Sequence, residues 1–356
     1  MLLTMLAFGA MSLQNPKTFY WGGDPSEIPE VEASGAVYKV AGKQVDPLVA
    51  MKEAGWNAVR LRIWNDPKDK FCDLNHTLAM AKRIKAAGLT LMLDFHYSDW
   101  WADPGKQNKP AAWKDMGMDE LKVAVREYSR DVVKALVDQG TPPAVVQPGN
   151  EVVAGMLWPE GRIHGQPNGW DKFMDLTKAA IQGIREGAGK HPVKIMAHID
   201  KGGKMEVSKY WFENYFSRGG EADILGLSYY PMWHGNLDEL KENLAYLAKT
   251  YKQDILIAET AYPYRGWNEQ TRQYDDVTAP LPQFKPNPEG QAAFLRELVS
   301  IVNNVPDQRG VGILWWAPAW VGPTGLRGGW DRLTMFDNQT GEALPSFYEF
   351  KAQTRG

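Results

Sequence analysis

Ala144-Val145-Val146-Gln147-Pro148-Gly149-Asn150-Glu151 opens as a short apolar run and ends in an amide beside a carboxylic acid. The run is too short for a helix and has the composition of a buried strand. The Pro148-Gly149 pair is expected to break that strand, leaving Asn150 and Glu151 where strand becomes loop. A second run, Asp254-Ile255-Leu256-Ile257-Ala258, ends the same way at Glu259-Thr260. Two buried strands that each stop on a glutamate suggest paired carboxylates, the equipment for cleaving a glycosidic bond. Taken singly, either glutamate has a bland alternative: capping a helix or meeting solvent.

Working outward, short apolar runs alternate with amphipathic ones along the chain. Strands are expected at Phe19 to Gly22, Ala58 to Trp64, Leu89 to Phe95, Ala144 onward, Val193 to His198, Ile224 to Ser228, Asp254 to Ala258 and Val311 to Trp316. Helical patterns fall at Asp46 to Ala54, Leu74 to Ala87, Met118 to Asp138, Trp170 to Glu186, Lys204 to Phe216, Leu237 to Lys249 and Glu289 to Asn303, with a short last one near Ser346 to Lys351. Gly55, Gly88 and Gly140 stop three of them. Eight strand-then-helix units without a linker predict one α/β domain, a (β/α)₈ TIM barrel whose site lies at the C-terminal strand ends. A doubly wound open sheet is the alternative, but it needs a Gly-rich phosphate loop after the first strand, and Gly22-Gly23-Asp24-Pro25 is not one. On this count Glu151 ends the fourth strand and Glu259 the seventh.

The 356 residues are 44% hydrophobic and 23% charged, an ordinary globular composition with ample core. A net charge of -3 gives no basic footprint for nucleic acid. A lone cysteine, Cys72, rules out an internal disulfide. Residues 1–14 begin with an apolar stretch too short to span a membrane. They resemble the apolar part of a signal peptide without its positively charged start, so a secreted or periplasmic protein is expected, with residues 15–356 as the catalytic barrel. Fifteen Trp and fourteen Tyr either pack the core or stack on sugar rings.

Other strand ends are polar. The period of two puts Arg60, Arg62 and Trp64 on one face, and likewise Asp94, His96 and Ser98. Buried charges of this kind are rarely left unpaired, so an internal salt bridge bracing the barrel is the bland alternative to a role in the site for Arg62 and Asp94, and less so for Arg60. His96, His198 and His234 allow a zinc site in principle, but no HxH or HExxH spacing occurs, and no metal or other cofactor is expected.

Several segments together carry a resemblance. They are Val59-Arg60-Leu61-Arg62-Ile63-Trp64, Asp94-Phe95-His96-Tyr97-Ser98-Asp99, Trp101-Ala102-Asp103-Pro104-Gly105-Lys106-Gln107, Gly149-Asn150-Glu151, Ser228-Tyr229-Tyr230-Pro231, Glu259-Thr260-Ala261-Tyr262-Pro263 and Trp316-Ala317-Pro318-Ala319-Trp320. In this order, from about residue 20 to the C-terminus, they resemble the arabinogalactan endo-β-1,4-galactanases of glycoside hydrolase family 53. Pro148, Trp100 and Ala317 depart from that pattern, at positions expected in the binding cleft.

The resemblance implies a retaining hydrolase with Glu151 as acid/base and Glu259 as nucleophile. Asn150, Arg60, Tyr230 and His96 would support the transition state and the nucleophile. Candidate sugar contacts are Trp64, Asp94, Trp101, Trp113, Trp158, His198, Asp200, Trp316 and Trp320. The expected partner is a polysaccharide, β-1,4-galactan, met by a monomer with no nucleic acid or membrane partner. A related β-glycanase on another β-1,4 polymer and a non-catalytic carbohydrate-binding barrel are the alternatives. The second would have lost a carboxylate or the Asn, and all three are present.

Overall fold

The computed structural model describes residues 18–322 and 330–353. Eight parallel strands close into a barrel: β1 (Tyr20–Asp24), β2 (Ala58–Ile63), β3 (Thr90–Phe95), β4 (Val145–Pro148), β5 (Lys194–Ile199), β6 (Ile224–Tyr229), β7 (Asp254–Thr260) and β8 (Gly310–Trp316). Each pairs with its neighbours in sequence, and β8 returns to β1 with Asp24 opposite Trp316. Outside it run the helices Leu74–Ala86, Met118–Asp138, Gly169–Ala188, Met205–Ser217, Leu237–Thr250 and Pro288–Asn303. The domain is a single (β/α)₈ barrel, as the alternation of runs predicts.

Local chemistry sets several element ends. Asp73, Asn236 and Asn287 accept hydrogen bonds from the first backbone N–H groups of their helices, satisfying donors that have no partner within the helix. Gly22 lets β1 approach β2 closely, since a Cβ there would lie 1.9 Å from the Ala58 carbonyl oxygen.

Strand alternation decides what faces inward. Tyr20, Ala58, Met92, Val145, Met196, Ile224 and Leu256 fill the barrel interior. Leu61, Ile63, Leu91, Leu93 and Ile257 point outward into the layer beneath the helices. Nearer the C-terminal mouth the inward positions become Arg60, Asp94, Gln147, His198 and Ser228, all buried. The strict period of two would send Glu259 outward with Ile255 and Ile257. A one-residue bulge prevents this: β6 and β7 pair Leu227 with Ile257 and then Ser228 with Glu259, skipping Ala258.

The structure departs from the sequence reading in places. Pro148 does not break β4 but is its last residue, opposite Phe95. The break comes at Gly149, whose φ of 103° only glycine adopts freely. A helix at Ile28–Ala33 and two hairpins, Tyr38–Val40 with Lys43–Val45 and Gly266–Asn268 with Gln273–Asp275, have no counterpart in the periodicity. The last segment, Pro345–Gln353, is a 3₁₀ helix under the barrel, where the Trp56 indole N–H donates to the Phe347 carbonyl at 3.0 Å. Among the described residues no helix is long and apolar enough to cross a membrane. Residues 1–14, read as a leader, lie outside the described residues.

Candidate active site

At the mouth of the barrel one guanidinium ties together four side chains from separate strand ends. Arg60 donates through Nη1 to Glu259 Oε1 at 2.9 Å and to Asp24 Oδ2 at 3.3 Å. Through Nη2 it donates to Asp94 Oδ2 at 2.7 Å and Asn150 Oδ1 at 2.9 Å. The Tyr230 hydroxyl donates to the other Glu259 oxygen at 2.9 Å. Glu259 is therefore held at both oxygens by groups that favour its ionised form.

Glu151 has a different environment. Its only side-chain donor among the described residues is the Ser228 hydroxyl, 2.6 Å from Oε1. Its backbone is left-handed, at φ 48° and ψ 50°, and this turns the side chain back over the mouth just after Gly149. One carboxylate oxygen of Glu151 and one of Glu259 lie within 4.8 Å of each other.

Electrostatics separate the two acids. Burial, then the charges of Glu259 and Asp200, push the Glu151 carboxyl well above the usual range. Burial raises Glu259 as well, but Arg60 and the Tyr230 hydroxyl work against it. A shared proton therefore rests on Glu151. Arg60 alone does not bring the Glu259 carboxyl below its ordinary value, because burial outweighs it. Tyr230 stays a donor, since burial and the neighbouring Glu259 lift its hydroxyl well above the usual range.

The supporting network fixes tautomers. The Ala102 amide donates to His96 Nδ1 at 3.0 Å, so the proton sits on Nε2, which faces Asp94 Oδ2 at 3.1 Å. The Ser228 hydroxyl proton points to Glu151, so the Ser228 oxygen accepts from His198 Nε2 at 2.9 Å. His198 Nδ1 then accepts from the Gln147 amide at 2.9 Å. Burial and the nearby Arg60 push the His198 pKa well down, which keeps the ring neutral. Asp94 is pulled up by burial, but Arg60 and His96 outweigh this and its pKa lies below the ordinary value.

Glu151, His198 and Glu259 together offer three metal-ligating atoms within 4.8 Å of one another. They do not fit a metal. Both His198 nitrogens are engaged, and the Arg60 cation already sits on Glu259.

A cleft of about 570 Å³ opens over the pair, lined by His96, Trp101, Asn150, Glu151, Asp200, Tyr230, Glu259 and Trp316 among the expected residues. Other expected contacts lie elsewhere. Trp113 is buried edge-on against Tyr128 in the core layer and does not line the cleft. Trp158 is half-buried and also off the cleft, its indole N–H donating to Ala154 O while Arg162 covers its ring. Asp94 and His198 are wholly buried under the site and do not line the cleft, their polar atoms facing Arg60, His96, Gln147, Asn150 and Ser228. Trp64 and Trp320 are buried too, and line a separate pocket beside the cleft. Trp100 also belongs to that pocket, while Pro148 and Ala317 are buried and line neither.

Four residues that matter here were not read from the sequence: Trp233, Trp330 and Lys201 on the cleft, and Ser228 on Glu151. Trp233 is 60% exposed and follows β6 within four residues of its end. The strand-end rule that found Tyr230 would have found it.

A closed parallel barrel with two buried carboxylates at the ends of β4 and β7, close together and differently held, is the architecture of a glycoside hydrolase. The chain belongs to glycosyl hydrolase family 53, whose profile matches residues 20–350. It is 41% identical over 348 residues to an uncharacterized protein of Niallia circulans, covering 94% of each chain. It is 36% identical to the arabinogalactan endo-β-1,4-galactanase of Thermothelomyces thermophilus, over 93% of this chain and 98% of that one. Among solved structures, the Ignisphaera aggregans GH53 catalytic domain superposes with a TM-score of 0.84 at 31% identity, over 98% of this chain and 99% of that one.

Proposed function

We propose that the protein is an endo-β-1,4-galactanase that cleaves the galactan of type I arabinogalactan, the side chains of pectin, by a retaining double displacement. The observation that carries the mechanism is the short separation of Glu151 and Glu259. Retaining enzymes hold their carboxyl groups about 5–5.5 Å apart, whereas inverting enzymes leave room for a water between them. The curated relatives described as arabinogalactan endo-β-1,4-galactanases support the substrate.

In the first step Glu259 attacks the anomeric carbon and the glycosidic C–O bond breaks. The bond's electron pair goes to the leaving oxygen, which takes its proton from Glu151. Glu259 is now an ester, and its charge no longer holds the Glu151 pKa up. Glu151, now ionised, removes a proton from a water whose oxygen attacks the same carbon, and Glu259 leaves as carboxylate. Asn150 Nδ2 spends one hydrogen on Ala102 O at 2.9 Å and keeps the other for the sugar 2-hydroxyl. Trp316 and Trp101 offer faces to the sugars, and His96 lines the cleft beside Trp101. Asp200, with one buried oxygen that has no partner among the described residues, accepts a sugar hydroxyl on the side of Lys201.

We further propose that the protein is secreted or periplasmic and acts as a monomer. A polymer substrate supports the first, and a site drawn wholly from one chain supports the second. The deciding experiment is product analysis on galactan, mannan and xylan. Oligosaccharides from galactan are expected. Their absence there, with release from mannan or xylan, would assign the protein to another β-1,4 polymer.

A further inference from the structure

Beside the cleft lies a second pocket of about 220 Å³ at the same end of the barrel. Pockets that enclose drug-sized ligands run to roughly 300–1,000 Å³, so this one suits a single sugar ring rather than a chain. It is joined to the catalytic centre by an unbroken row of indoles. Trp316 and Trp101 are 5.6 Å apart, Trp101 and Trp64 are 5.0 Å apart, and Trp64 and Trp100 are 4.7 Å apart between ring centroids. Trp101 lines both spaces. The row surfaces at Trp100, which is 51% exposed.

The polar members suit a neutral sugar. Glu30 and Asp69 offer carboxylate oxygens to hydroxyl groups and disfavour an acidic sugar. Arg62 lies under Trp101, its guanidinium carbon 4.4 Å from the ring centroid, with its charge met by Asp24 at 3.5 Å. The side chain is only 2% exposed, and among the described residues its Nε has no hydrogen-bond acceptor while its Nη1 has only the Asp24 carboxylate, at 3.5 Å.

We propose that this pocket is an accessory subsite for one neutral sugar unit of the polysaccharide lying in the cleft, with Trp100 as its stacking platform. The proposal rests on the galactanase reading above. It extends the binding surface past Trp101, away from the reacting bond, and so acts only on chains long enough to reach it.

The test compares the full-length protein with Trp100→Ala, Trp100→Tyr and Glu30→Gln on linear β-1,4-galacto-oligosaccharides of increasing length and on galactan. In the wild type kcat/KM should rise with length. In Trp100→Ala the last increment should vanish, a loss of roughly three- to tenfold on the longest substrates, the scale of one stacking contact. Trp100→Tyr should restore most of it, and Glu30→Gln should lose part. An equal fall on short and long substrates would overturn the subsite and make Trp100 a prop for Trp101. An unchanged length dependence would overturn it as well. A wild type inactive on every galactan substrate would instead overturn the galactanase reading, and this inference with it.

Discussion

The Ser228 hydroxyl donates to Glu151 Oε1 across 2.6 Å, and Ser228 faces Glu259 in the β6–β7 register. One serine thus lies next to both acids but bonds only to the one that must give up its proton. A donor to the ionised form lowers a carboxyl pKa. In Ser228→Ala the Glu151 pKa should therefore rise further, and the alkaline limb of the kcat/KM–pH profile should move to higher pH. The acid limb, which reports Glu259, should stay in place. Movement of the alkaline limb to lower pH would show that Glu151 is not the group on that limb.

The two glutamates can be told apart by stereochemistry. Either replacement by alanine should cost several orders of magnitude in rate. With azide, Glu259→Ala should yield an α-glycosyl azide, since the anion attacks from the face the nucleophile has left. Glu151→Ala, given a substrate with a good leaving group, still forms the ester at Glu259 and should yield the β-azide. The opposite pairing of products would reverse the two roles.

Trp113 belongs to the core, edge-on to Tyr128 and 8% exposed. Trp113→Ala should destabilise the fold by about 3–5 kcal/mol, the usual cost of removing a large buried aromatic. Affinity for oligosaccharides, measured at a temperature where the variant is folded, should not change. A length-dependent loss of affinity with a normal melting temperature would return it to the binding surface.

Glu27 is buried near Arg62, and its carboxyl is pushed up to about 8 from 4.5, chiefly by burial. The unfolded chain releases this proton near 4.5 and the folded chain only near 8, so stability falls as pH rises between those values. Glu27→Gln removes that dependence. Relative to wild type the variant should gain about 2–4 kcal/mol between pH 5 and pH 9, and calorimetric melting at the two pH values measures it. Parallel pH dependence in the two proteins would show that Glu27 is ionised in the fold.

Much of the fold is legible because its elements are strongly periodic. Met118–Asp138 appears with the bounds the pattern gives, between Gly117 and the left-handed Gly140. The helix at Ile28–Ala33 and the short hairpins are not legible, because six or three residues hold too few periods to register. In the site, Arg60, Asp94 and Glu151 follow from strand ends and alternation. Glu259 follows only from its place at a strand end, since the bulge that turns it inward leaves no mark on the period of two. The tryptophans are the least legible. Trp113 and Trp233 both sit among loop-like residues, yet one is buried and the other is 60% exposed on the cleft. Which face of an indole finds a neighbour depends on contacts far away in sequence.

The left-handed backbone at Glu151, φ 48° and ψ 50°, has a further consequence. A residue with a Cβ held there costs of order 1–3 kcal/mol, and glycine avoids most of that cost. Glu151→Gly, inert as a catalyst, should therefore melt above Glu151→Ala and hold its own against the wild type. Selection for foldability alone would discard this glutamate. Its presence sets activity against thermostability at one backbone position, and a library screened only for heat resistance would be expected to lose it first.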